Sequence, residues 1–105
     1  MSVYEVVSAQ VLLARRSDFG VLHREVLMPA CARAGIEVVA CLIADVGSVG
    51  RFFDIYRYES YAAYEERSTS LEESLQSCGY YERVQECIVG SIEVHLAKSL
   101  LDISA

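Results

Sequence analysis

Asp54 is the residue whose surroundings most invite chemistry. It lies between Phe53 and Ile55 in the run Arg51-Phe-Phe-Asp-Ile-Tyr-Arg-Tyr58. A carboxylate is rarely set in such apolar company without a partner. Two readings fit. Asp54 is a general base in an apolar pocket, or it is tied structurally to an Arg or Tyr on a neighbouring strand or subunit. Arg51 and Arg57 fall on the opposite side of the same strand and are not its obvious partners. His23 borders an apolar stripe beside Phe19 and Val26. It is either an acid or base facing a pocket or a satisfied boundary histidine. His95 shares a face with Glu93, near water or a dimer edge, and one histidine without a second ligand nearby is weak ground for a metal or haem site.

Seven tyrosines occur in a chain without tryptophan. Tyr56, Tyr58, Tyr61 and Tyr64 cluster in sequence. A pocket lined by Tyr56, Tyr61 and Tyr64 would be apolar with a few hydroxyl donors, which suits a polycyclic or conjugated carbonyl compound. The same residues also suit a core or interface with hydroxyls at the rim. No serine has the His and Asp of a nucleophile triad. The glycines of Asp45-Val-Gly-Ser-Val-Gly50 precede no helix and make no phosphate loop. Cys31, Cys41, Cys78 and Cys87 form no C-x-x-C pair, so reduced, buried thiols are expected and no metal site. Two functions lead, with a haem-binding variant third. One is an enzyme without a tightly bound cofactor, in which Asp54 removes a proton next to a carbonyl and His23 or Tyr56 hydrogen-bonds the oxyanion. Isomerisation, cyclisation or oxygenation would follow from that enolate. The other is a non-catalytic homodimer that binds a ligand or a partner protein.

The elements that must position these residues are legible. Val3 to Leu13 reads as a strand with neither face wet. Ser17 and Asp18 are expected helix caps. Phe19, Leu22, Val26 and Ala30 give a buried stripe for a helix over Asp18 to Ala34. Pro29 should kink or split it, and Gly35 should stop it. Ile36 to Val46 is a second apolar strand, and the glycine turn folds it back onto a third, Arg51 to Tyr58. Ser60 caps a second helix with the stripe Tyr61, Tyr64, Ser68, Leu71 and Leu75. After Gly79 a short helix covers Tyr80 to Glu86, and Ser91 to Ala97 alternates as a fourth strand. The order β-α-β-β-α-β predicts the ferredoxin-like α+β fold, a four-stranded antiparallel sheet with helices on one face. Strands apolar on both faces then require a cover for the open face. An identical chain supplies it, and two sheets packed face to face make a dimeric α+β barrel.

From Tyr4 to Leu96 the chain resembles the NIPSNAP family of dimeric α+β barrel proteins. The resemblance rests on Tyr4-Glu5, on Pro29 followed by Gly35-Ile36, on the Asp45-Val46-Gly47 turn and on Tyr58-Glu59-Ser60. It departs at Val7, where family members often carry Arg, and at Asp54, where they often carry His or Asn. The resemblance implies a pocket between sheet and helices in each subunit. Its broader relatives include cofactor-free monooxygenases, polyketide cyclases, lactone isomerases and haem-dependent enzymes, so fold analogy alone selects no reaction.

Length and charge narrow the classes further. The 105 residues allow one domain, residues 1–105. A net charge of −6 argues against nucleic acid and against docking on anionic membrane. The 53% hydrophobic share excludes disorder. The longest apolar stretch, Val38 to Ala44, falls far short of the roughly 20 residues of a spanning helix. With no leader pattern at Met1 to Glu5, a cytoplasmic location is expected.

Overall fold

The computed structural model describes residues 1–103. Strand β1 is Val3–Val11, β2 is Glu37–Ile43, β3 is Arg51–Tyr58 and β4 is Ile88–Ala97. Helices α1 (Arg16–Leu22) and α2 (Met28–Ala34) follow β1, while α3 (Tyr61–Ser77) and α4 (Tyr80–Gln85) separate β3 from β4. The strands form one antiparallel sheet in the order β2-β3-β1-β4. This is the expected ferredoxin-like α+β arrangement. The buried core joins Phe19, Leu22, Leu27 and Ala30 of the helices to Ala9, Val11, Phe52, Tyr56 and Tyr58 of the sheet.

Between α1 and α2 the backbone opens into a π-helical segment, His23–Leu27. The Met28 N–H reaches back five residues to the His23 carbonyl. Pro29 explains the widening. Its ring would strike the carbonyl four residues earlier and it has no N–H to give that carbonyl. The chain stays helical from Arg16 to Ala34, and the disturbance expected of Pro29 takes the form of this π turn, which begins at His23. Gly35, at φ 74°, ends α2 in the left-handed conformation.

Ser17 and Asp18 do not cap α1. The helix begins at Arg16, directly after a 3-10 turn at Leu13–Arg15, and Arg15 at its N-cap makes no side-chain cap. The Arg15 and Arg16 amides already bond to the Leu12 and Leu13 carbonyls, so no separate cap is called for there. Asp18 instead pairs with Arg15 at 3.0 Å. Ser60 does cap α3, its hydroxyl accepting from the Ala63 N–H at 3.1 Å. All four cysteines are free, but only Cys31 and Cys87 are buried; Cys41 and Cys78 are exposed. Both exceptions sit at margins of the fold, Cys41 on an outer strand and Cys78 at the end of α3.

The face of the sheet away from the helices carries Val6, Ala40, Leu42, Phe53 and Ile55, brought together by the strand register. Leu42 and Phe53 are exposed there. Ion pairs flank this apolar strip, Arg51–Glu93 at 2.6 Å and Arg57–Glu37 at 3.1 Å. Among the described residues no helix is long and apolar enough to cross a membrane.

Candidate functional site

Strand alternation sends Phe52, Asp54, Tyr56 and Tyr58 toward the helices. Asp54 is only 3% exposed. One of its oxygens, Oδ2, lies 2.8 Å from His23 Nε2 and accepts a hydrogen bond from the Tyr56 hydroxyl at 3.1 Å. The other, Oδ1, is buried with no hydrogen-bond partner among the described residues. A buried polar atom left unpaired costs free energy, about 1–3 kcal/mol or more for a charged group. Such an orphan is free to accept a hydrogen bond from a water or a ligand.

His23 lies on the π segment, and its Nδ1 is 3.1 Å from the Phe19 carbonyl oxygen. A carbonyl only accepts, so Nδ1 carries a hydrogen and Nε2 is the atom turned to Asp54. One proton is then shared between Nε2 and the carboxylate. Burial works against the imidazolium, but the Asp54 hydrogen bond and charge, with the Phe19 carbonyl, outweigh it and hold the His23 pKa above its ordinary value. Burial and the Asp54 charge raise the Tyr56 phenol, which stays a donor. Phe19 and Phe52 wall the imidazole, with ring centroids 4.6 and 6.1 Å from it.

Asp54 stands between two hollows. An open groove of about 250 Å³ on the α1 and β2 side is lined by His23, Cys41, Ile43 and Phe52 with Asp54 itself. A cavity of about 290 Å³ between sheet and helices is lined by Asp54, Tyr56, Tyr64, Tyr80 and Glu5 among others, and reaches Ile92 and Val94 of β4. His23 and Asp54 thus share one hollow, and Tyr56 and Tyr64 share the other with Asp54. Tyr61 joins neither. It starts α3 with its side chain half-exposed. His95 pairs with Val6 on the open face of the sheet, exposed and remote from Asp54.

Three further groups belong to the site. Tyr80, at the start of α4, is buried and lines the cavity. Glu5 accepts from the Tyr58 hydroxyl at 3.0 Å, and burial, opposed by that bond, raises its carboxyl. Cys41 stands opposite Asp54 on β2. Although the residue is exposed overall, partial desolvation of its sulfur and the Asp54 charge push the thiol up to about 12. The signal that could have flagged Tyr80 was a tyrosine directly after a helix-breaking glycine. Cys41 carried no such signal, for a reason that lies in the strand register.

No protein-family model matches the chain, and no curated protein matches it. Solved structures do. A NIPSNAP family protein from Agrobacterium tumefaciens superposes with a TM-score of 0.80 at 17% identity, over 93% of this chain and 92% of that one. An uncharacterized NIPSNAP domain protein from Burkholderia xenovorans gives 0.80 at 11% identity, over 98% and 99%. The chain has the fold of NIPSNAP family proteins. A dimeric ferredoxin-like protein from an uncultured marine organism gives 0.62 at 13% identity, over 99% and 98%. Identities this low carry the architecture and leave the chemistry to the residues.

Proposed function

We propose that this NIPSNAP-like chain is a homodimeric small-molecule-binding protein that acts, without a tightly bound cofactor, as a proton-transfer enzyme on an apolar carbonyl compound. The observation that carries the reading is Asp54 Oδ1, unpartnered and buried beside an apolar cavity, while His23 and Tyr56 hold Oδ2. The two donors fix the carboxylate plane and leave Oδ1 as the basic atom. A ligand with a C–H next to a carbonyl gives its proton to Oδ1. The C–H electron pair moves into the carbonyl to form an enolate, and the Tyr80 hydroxyl in the same cavity is the donor for its oxygen. Returning the proton to the same carbon gives exchange; returning it to a conjugated carbon gives isomerisation.

Homodimer formation is supported by the exposed apolar strip around Phe53 and Leu42, by the exposed Leu100 and Leu101 after β4, and by the dimeric neighbour. The net charge of −6 supports a partner other than nucleic acid. The four free thiols support a cytoplasmic location.

The test is deuterium wash-in at C2 of the bicyclic ketone α-tetralone in D₂O, followed by ¹H NMR. The wild-type chain accelerates exchange over buffer, and Asp54→Asn lowers that acceleration by ~100-fold or more, the scale of a positioned base. Equal acceleration by wild type and Asp54→Asn, or none by the wild type, rejects the proton-transfer reading and favours simple ligand binding.

A further inference from the structure

We propose that His23, Cys41 and Asp54 also form a reversible binding site for a soft divalent metal ion such as zinc. One donor atom of each residue, a ring nitrogen, a sulfur and a carboxylate oxygen, lie within 4.8 Å of one another. Donors around tetrahedral zinc at bond lengths of about 2.0–2.3 Å stand about 3.5 Å apart. Shifts of about 1 Å would therefore close the triangle on a metal.

Two observations independent of that clustering point to a ligand. Asp54 is 3% exposed, yet its Oδ1 has no partner among the described residues. The Phe19 carbonyl holds the His23 Nδ1–H, which fixes the tautomer whose Nε2 is presented to the site. Metal-bound histidines are oriented in this way, by a backbone carbonyl on the far nitrogen. The three residues all line the groove between α1 and β2, which is open and gives an ion its path of entry. The spacing of residues 23, 41 and 54 shows no metal pattern, because the ligands come from three elements that only the fold brings together.

The donor set selects the ion. Sulfur, imidazole and a single carboxylate suit zinc and disfavour magnesium and calcium, which take oxygen ligands. A thiolate and a carboxylate together cancel a double positive charge. Arg16 and Arg24 line the same groove and oppose a cation, but Arg16 is already paired with Asp45 at 2.9 Å. With three protein ligands the ion keeps a fourth position, for water or for a small anionic ligand that the arginines would favour. On binding, the Cys41 thiol proton and the proton shared by His23 and Asp54 pass to solvent.

This site goes beyond the proton-transfer reading and is separable from it. A bound metal takes an oxygen of Asp54 and suppresses α-tetralone exchange, while the titration reads metal binding directly, without reference to exchange. The experiment is a Co²⁺ titration of the chelator-stripped, full-length protein, followed by Zn²⁺ competition. The expected result is one equivalent of Co²⁺ per chain, with a thiolate-to-cobalt charge-transfer band and tetrahedral visible bands, displaced by Zn²⁺. Cys41→Ser abolishes the charge-transfer band and weakens Zn²⁺ by ~100-fold or more, since even outer-shell losses cost about 10–100-fold. Cys78→Ser changes neither. A wild-type protein without a saturable band, or a band that survives in Cys41→Ser, overturns the proposal. A far-UV circular dichroism spectrum unchanged from the wild type shows that Cys41→Ser folds; exchange absent from the wild type counts against proton transfer alone and leaves the titration decisive.

Discussion

Replacing Phe53 by Asp is expected to split the proposed homodimer and leave the subunit folded. Phe53 sits at the centre of the open sheet face, opposite Leu42 on β2 and Ser8 on β1. It is 38% exposed. Set against about 200 Å² for a whole aromatic side chain, that leaves roughly 75 Å² per subunit for a partner to cover, or roughly 150 Å² in the pair. At about 25 cal/mol per Å² the two rings contribute roughly 4 kcal/mol to association. Removing them raises the dissociation constant close to a thousandfold, at about 1.4 kcal/mol per factor of ten. A carboxylate at each position adds the cost of burying a charge in the apolar face. The helix-side core holds no part of Phe53, so far-UV circular dichroism stays unchanged. Sedimentation velocity at micromolar concentration gives twice the 11.7 kDa chain mass for the wild type and a single chain for the variant. A wild type that sediments as one chain, or a variant that stays paired with the wild-type affinity, refutes the covered-face reasoning.

Glu5 and Gly50 give two more tests. Burial raises the Glu5 carboxyl above 4.5 against the Tyr58 hydrogen bond, with Glu72 adding to the rise. A carboxyl whose folded pKa exceeds its unfolded one stabilises the fold fully below the unfolded value and loses that contribution as pH climbs through the folded value. Glu5→Gln, neutral throughout, is therefore more stable than the wild type at pH 7 and matches it near pH 4 in urea melts; the same difference at both pH values contradicts this. Gly50 has φ +85°, and an added Cβ would lie 2.9 Å from the Val11 carbonyl oxygen. That carbonyl is backbone and cannot swing aside. Gly50→Ala lowers stability by more than the ~1 kcal/mol of left-handed strain alone, measured by denaturant unfolding; a neutral effect would show that the hairpin relaxes freely.

The sequence carried the fold because its punctuation is local. Pro29, Gly35, Ser60 and Gly79 each act within their own turn of chain, and the strand of Arg51–Tyr58 falls where alternation puts it. Asp54 and His23 were both singled out for their apolar settings. Their 2.8 Å contact was not legible, because the π segment that begins at His23 sets the angle of that ring. Cys41 was hidden by a bulge. Between Val38 and Ala40 the β2–β3 register slips, so Val38 and Cys41 share the helix face although their parity differs. One inserted residue reverses alternation for the rest of a strand. Tyr61 lies outside both hollows for a different reason. Helical spacing from Leu75 and Leu71 extends the stripe to it, but the first turn of α3 runs past the edge of the core.

The most direct test of the ligand site is a crystal structure of the protein soaked with 1-naphthol, a planar stand-in for the enol of α-tetralone. The naphthol is expected in the cavity between sheet and helices, its ring edge against Asp54 Oδ1 and its oxygen within hydrogen-bond reach of Tyr80. Naphthol bound only outside that cavity, or a cavity that stays closed to it while Oδ1 turns to a protein donor, would contradict the account.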